Sequence, residues 1–131
     1  MPPSPSKQKS NFRQFNERAG RRGEFLAALF LQLQGYRIIG SRVKTPVGEI
    51  DLIARRGDTI AIVEVKSRSF SHQETEALLA VNQRRIIRAA QFWLTGRNEM
   101  AALHIRFDVI FLAPFAWPRH IVNAFDASGF A

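Results

Sequence analysis

Cysteine is absent from the sequence, which excludes a disulfide framework and any zinc site built on thiolates. Histidine is scarce as well, and His72, His104 and His120 are too scattered to suggest an imidazole cluster. No long hydrophobic run exists. The longest, Phe25 to Leu31, has seven residues, far below the roughly 18 that a membrane-spanning helix needs. The stretch before Gly23 has no apolar segment of the secretory kind, so a cytoplasmic protein is expected. Acidic residues are also few: eleven Asp and Glu stand against nineteen Lys and Arg, for a net charge of +8 and a pI near 11.3. Such a balance points to a polyanionic partner, nucleic acid first, with no membrane insertion. An adaptor that attaches its basic face to anionic lipid or to an acidic protein is a competing class.

With 131 residues, 46% of them hydrophobic, the chain is the size of one domain with a proper core. Residues 1–22 differ from the remainder. Lys7, Lys9, Arg13, Arg18, Arg21 and Arg22 face only Glu17 there, among Pro, Ser, Asn and Gln. We read this stretch as a basic, flexible arm suited to non-specific phosphate contact or to solubility, and 23–131 as a single domain.

The most informative stretch runs from Gly48 to Lys66, where three acids and one lysine interrupt apolar, β-branched runs. Two runs of strand composition flank Gly57-Asp58, a pair that favours a tight hairpin turn. A turn centred there places Asp51 opposite Glu64 and Glu49 opposite Lys66, all on one face. Opposed Cβ atoms in such a hairpin lie about 4.5–5.5 Å apart, close enough for two carboxylates to share one cation. Ile53, Ile60 and Ile62 continue the acidic face toward the turn, which suggests a surface covered at one end and open at the acids. The opposite face, Ile50, Leu52, Ala54, Ala61, Val63 and Val65, is wholly apolar. The plainer alternative is a hairpin whose charged face is simply solvated.

The remaining pattern surrounds this hairpin with helices and further strands. A helix over Glu24 to Gln34 ends at Gly35, and its stripe of Phe25, Leu26, Leu29, Phe30 and Leu33 is expected to be buried against a sheet. Tyr36 to Val43 reads as a strand. Ser67 to Glu76 is polar and loop-like, carries His72, and resembles a helix start at Ser71-His72-Gln73-Glu74. A second helix is expected from Ala77 to Leu94. It carries Arg84, Arg85 and Arg88 at helical spacing, suited to a row of phosphates or to simple solvation. Leu103 to Leu112 alternates as a strand, with Arg106 and Asp108 on one side as an ion pair that would contribute little if exposed. His120 to Phe125 reads as a final edge strand.

Asp51, twelve intervening residues and Glu64-Val65-Lys66 resemble the PD-(D/E)xK nuclease signature, with Ile50 where a proline often stands. The fuller string adds Arg22-Gly23-Glu24, Gly35-Tyr36, Gly48-Glu49-Ile50-Asp51-Leu52-Ile53, Ser67-Arg68 and Arg106-Phe107-Asp108-Val109. It resembles the YraN-like family of predicted endonucleases and covers nearly everything after Arg21. That resemblance implies an α/β fold with a restriction-endonuclease-like core, similar to archaeal Holliday-junction resolvases: a central mixed sheet with an antiparallel hairpin, flanked by helices. It implies metal-dependent hydrolysis of DNA phosphodiester bonds, on branched or otherwise structured DNA. Glu24 would be a third acid beside Asp51 and Glu64, Glu49 and Gln83 accessory groups, and Arg68 a nucleic-acid contact.

Carboxylate oxygens from Asp51 and Glu64, with the Val65 carbonyl and water, suit Mg²⁺ or Mn²⁺. Lys66, on the same face, would orient water or stabilise developing charge. The alternative is a non-catalytic nucleic-acid-binding protein on a nuclease-like scaffold, whose acids form only ion pairs. A homodimer is a further candidate assembly.

Overall fold

The computed structural model describes residues 23–67 and 72–127, with residues 72–82 described by their backbone only. Helix α1 covers 23–33. Strands β1 (Arg37–Thr45), β2 (Gly48–Arg56) and β3 (Thr59–Lys66) follow. Then come helix α2 (His72–Leu94), a short 3₁₀ turn (Asn98–Met100), β4 (His104–Phe111) and β5 (Arg119–Phe125). The five strands form one sheet in sequence order. β1, β2 and β3 are an antiparallel meander, β4 lies parallel to β3, and β5 returns antiparallel to β4. A parallel neighbour requires a long crossover, and α2 supplies it. This α/β sheet with a helix on each face is consistent with a restriction-endonuclease-like core.

Strand alternation divides the core between the two faces. Ile60 and Ile62 of β3 pack with Ile53 and with Ile86, Ile87, Ala90 and Trp93 of α2. Ala61 and Val63, pointing the other way, pack with Leu52, Ala54 and Ile110 and with Ala27 and Leu31 of α1. Each fully buried branched side chain contributes about 1.5–3 kcal/mol relative to exposure. The isoleucines of the acidic face are thus covered by α2, as their pattern suggested.

The hairpin register agrees with the sequence reading. Cα partners run from Arg56–Thr59 through Ala54–Ala61 to Leu52–Val63, and Gly57 takes the positive φ of 59° that the turn requires. Gly35 closes α1 with φ 91°, while the Tyr36 amide donates to the Leu31 carbonyl. This is the bond that satisfies an orphan carbonyl at a helix end.

Three expectations are corrected. Of the expected α1 stripe, Phe25, Leu26, Leu29 and Leu33 are exposed, while Ala27 and Leu31 face the sheet. Gly23, Ala27 and Leu31 recur every four residues and form the buried face; Gly23 and Ala27 are small enough to bring the start of the helix close to the strands, and Leu31 fills the space beyond them. Ile50 does not share the face of Leu52; it packs with the α2 cluster, because alternation in β2 breaks at Asp51. Helix α2 begins at His72, inside the segment read as a loop. Its start fits the Ser71-to-Glu74 capping pattern, with Ser71 itself outside the described residues. The Arg106–Asp108 ion pair forms as expected, and it is buried.

Candidate functional site

The ladder between β2 and β3 stops one position short of the acids. At that position the Val65 amide donates to Asp51 Oδ2 at 2.8 Å, so the carboxylate satisfies a strand N–H next to the point where pairing ends. Burial pushes the Asp51 carboxyl from 3.8 up to about 7; the negative charges of Glu64 and Glu24 add to the rise, and the Val65 N–H and Lys66 oppose it. Asp51, Glu64, Glu24 and Lys66 therefore sit within one another's fields. Lys66 Nζ lies 2.9 Å from Glu64 Oε1. The expected pairing of Glu49 with Lys66 does not occur. Glu49 lies opposite Lys44 on β1, because past Leu52 only β1 keeps register with β2.

Glu24 reaches this cluster from α1, the opposite side of the molecule from α2. The reason is local packing at Gly23. A Cβ built on Gly23 would stand 2.6 Å from Ser67 Oγ and 3.5 Å from Leu112 Cδ1. The start of α1 is thereby pressed against the residue following Lys66, and any side chain at 23 would force it away.

Arg42 is a member of the site that the sequence reading did not single out. It sits in β1 with φ 49°, a left-handed backbone in a residue that gains nothing from it sterically. Its Nε lies 3.4 Å from Glu24 Oε2 and 3.5 Å from Glu49 Oε1, buried and without an aligned hydrogen bond. The break in alternation at Asp51 has its counterpart here. Val43 pairs with Ile50 and packs toward α2, whereas Ser41 pairs with Leu52 beside α1. No composition signal marks such a kink; an arginine one residue before Val43 reads as an ordinary exposed strand position.

The basic row meets β2 through Arg85. Arg84, Arg85 and Arg88 are exposed on α2. The Arg85 side chain covers Gly48, whose added Cβ would stand 2.8 Å from Arg85 Cγ, so the row meets β2 one residue from Glu49. Gln83 is half-buried at the start of this row. Arg68 lies outside the described residues, as does the arm 1–22.

The donor chemistry of Asp51 and Glu64 is that of hard oxygen ligands, and the Asp51 carboxyl is raised first by partial burial and then by the negative charges of Glu64 and Glu24. These two residues fit a divalent ion of the Mg²⁺ or Mn²⁺ type. Among the described residues, no three of His, Cys, Asp and Glu are grouped so as to hold a metal. Glu24, the third acid, is engaged by Arg42 instead.

A second polar cluster lies on β4 and β5. Asp108 is fully buried and receives both oxygens' worth of hydrogen bonds: Arg106 Nε to Oδ1 at 2.8 Å and Nη2 to Oδ2 at 2.7 Å, a bidentate pair. The Asn123 amide donates to Oδ1 at 2.9 Å, and His120 Nε2 lies 2.8 Å from Oδ2. Burial would raise the Asp108 carboxyl, but hydrogen bonds from His120, Arg106 and Asn123 bring it down to about 2. β5 bulges to deliver the Asn123 amide, which takes φ 54°. Arg106 also bonds the Tyr36 hydroxyl, tying β4 to the end of α1. All of its members serve one another, and we assign this cluster a structural role.

Among the described residues no helix is long and apolar enough to cross a membrane. The sequence matches the family described as "Uncharacterised protein family UPF0102" over residues 23–112, which spans α1, the hairpin, α2 and β4. It is 50% identical over 115 residues to a UPF0102 protein of Chelativorans sp. (strain BNC1), covering 88% of this chain and 93% of the relative. A UPF0102 protein of Mesorhizobium japonicum is 46% identical over 123 residues, 94% of each chain. One from Agrobacterium fabrum is 44% identical over 116 residues, 88% of this chain and 95% of the relative. With the match running through every acid of the site, the chain belongs to the UPF0102 family, the YraN-like group its motifs resemble.

Proposed function

We propose that the protein is a metal-dependent DNA endonuclease that hydrolyses phosphodiester bonds. The observation that carries this reading is the half-buried Asp51 carboxyl, which accepts the Val65 N–H at 2.8 Å and is pushed to about 7 by burial and by Glu64 and Glu24, with Lys66 2.9 Å from Glu64. Ionisable groups driven this far from ordinary values cluster at functional sites. Asp51 and Glu64 would hold the ion. A bound Mg²⁺ or Mn²⁺ supplies Lewis-acid polarisation of the phosphoryl group and acidifies water. Lys66, a fixed cation beside Glu64, offsets negative charge that builds on the phosphoryl oxygens. Arg84, Arg85 and Arg88 contact flanking phosphates, with Arg85 covering Gly48 beside Glu49.

Arg42 keeps Glu24 within the cluster when no external cation neutralises it. The second reading, a non-catalytic nucleic-acid-binding protein on the same scaffold, has its own support: Glu64 is already paired with Lys66 and Glu24 with Arg42.

The test is incubation of the full chain with single-stranded, duplex and branched DNA in Mg²⁺, Mn²⁺ or EDTA. Wild type is compared with Asp51→Asn and Glu64→Gln. Cleavage that requires the ion and both carboxylates supports the enzyme. DNA binding without ion-dependent cleavage, or cleavage that survives in both variants, overturns it.

A further inference from the structure

Among the described residues, the turn between β4 and β5 carries two large aromatic side chains that fold against nothing. Phe115 is 109% exposed, more than in an open chain, and Trp117 is 87% exposed. Phe115 occupies the third position of a turn in which the Ala116 amide donates to the Ala113 carbonyl at 3.4 Å, with Pro114 second. Its φ is 59°. Glycine or asparagine normally fills a turn position of this sign, since a bulky residue there is strained. The fold thus bears both a strained backbone and two solvated rings, and neither contributes to its packing. Pro114 and Pro118 bracket the tip and limit its freedom.

The tip lies at the same sheet end as the acids. Phe111 is the Cα partner of Lys66, and the Leu112 amide donates to the Lys66 carbonyl at 2.7 Å. The chain enters the aromatic turn at the next residue and leaves it through exposed Arg119. We infer that Phe115 and Trp117 form a stacking platform for unpaired bases, with Arg119 on the adjoining phosphate. Rings of this kind stack on any base, and the basic chain supplies phosphate attraction. A lipid or protein partner would account for the exposed rings but not for their place beside Lys66 and the surplus positive charge. This inference rests on the nuclease reading for its substrate, and it narrows that substrate to DNA with a single-stranded segment next to the scissile bond.

The experiment measures binding of the full chain in EDTA, so that cleavage plays no part. The probes are a short oligothymidylate, a blunt duplex of equal length and the same duplex with an unpaired gap. Trp117 is exposed whereas Trp93 is buried, so the red side of the tryptophan emission reports on the tip. The oligothymidylate is expected to quench it. Phe115→Gly and Trp117→Ala should each weaken oligothymidylate and gapped-duplex binding by roughly tenfold, the loss of one stacked base. Blunt-duplex affinity should change less than about twofold, since phosphate contacts dominate it. Phe115→Gly should melt no lower than wild type, because glycine removes the strain.

Unchanged oligothymidylate affinity in both variants overturns the inference. So does a wild-type dimer that Trp117→Ala converts to a monomer, which would make the tip a self-association surface. A blue shift with phosphatidylcholine vesicles, in place of quenching by DNA, overturns it in favour of lipid. If the variants lose single-strand binding but the wild type cleaves nothing with Mg²⁺ or Mn²⁺, the platform stands and the nuclease reading falls. Ion-dependent cleavage with unaltered binding in the variants gives the reverse.

Discussion

Replacing Asp51 by asparagine should stabilise the protein at neutral and higher pH, which is unusual for a change at a half-buried, hydrogen-bonded position. Asparagine keeps an oxygen to accept the Val65 N–H and removes the charge that burial, Glu64 and Glu24 disfavour. The sign follows from proton linkage. A carboxyl raised from 3.8 to about 7 binds a proton in the native state that the unfolded chain has already released. Stability therefore falls as pH rises between these two values. Three pH units correspond to a ceiling of about 4 kcal/mol. Asp51 is partly open to solvent, so screening reduces the gain to roughly 1–2 kcal/mol, about 3–10 °C in melting temperature.

The assay is a series of thermal melts of wild type and Asp51→Asn from pH 4 to 9 in EDTA, repeated with Mn²⁺. The two proteins should coincide near pH 4 and diverge with Asp51→Asn higher above pH 7. Mn²⁺ should then raise the wild type alone. If Asp51→Asn melts below wild type by the same amount at every pH, Asp51 is a structural acceptor and the surplus-charge account of the site is wrong.

Three further outcomes are expected. Lys66→Ala should slow single-turnover cleavage by about 2–4 kcal/mol of barrier while leaving DNA affinity in EDTA nearly unchanged; a rate within twofold of wild type would remove Lys66 from the chemistry. Each of Arg84→Ala, Arg85→Ala and Arg88→Ala should lower the salt dependence of duplex binding by roughly one unit of slope, read from affinities at several salt concentrations; an unchanged slope in the triple variant would make the row a solvated face. Asp108→Asn should cost about 3–5 kcal/mol in urea unfolding, because it leaves the mostly buried Arg106 guanidinium without its anion. Since the Asp108 carboxyl is depressed from 3.8 to about 2, the stability it confers is present above pH 4 and lost toward pH 2. The variant should lack that acid-side loss.

The hairpin was legible from sequence because its information is local. Alternation has period two, Gly57 tolerates positive φ, and together they set the register that brings Leu52 to Val63. The same holds for the end of α1 at Gly35 and the end of α2 at Gly96, whose φ values of 91° and 82° need no distant partner. Gly23 and Glu24 were readable only through resemblance; their physical reason, the contact with Ser67, joins residues on different elements.

What tertiary structure alone decided is where charge meets charge across elements. Arg42 binds Glu24 and Glu49 because β1 kinks opposite the point where β2 leaves β3, and a kink forced by a neighbouring strand leaves no mark in composition. Leu26, Leu29 and Leu33 of α1 stay exposed while the identical Leu31 is buried, because the sheet meets the face of Gly23, Ala27 and Leu31, an outcome that periodicity and hydrophobicity cannot rank. Asp108 and His120 lie twelve positions apart in sequence, and only the antiparallel return of β5 brings them to hydrogen-bonding distance, turning an ordinary surface ion pair into a buried network. Sequence thus determined which residues carry charge and the hairpin register from the turn to Leu52 and Val63. The fold determined which of those charges are removed from water, and that desolvation gives Asp51 its unusual carboxyl.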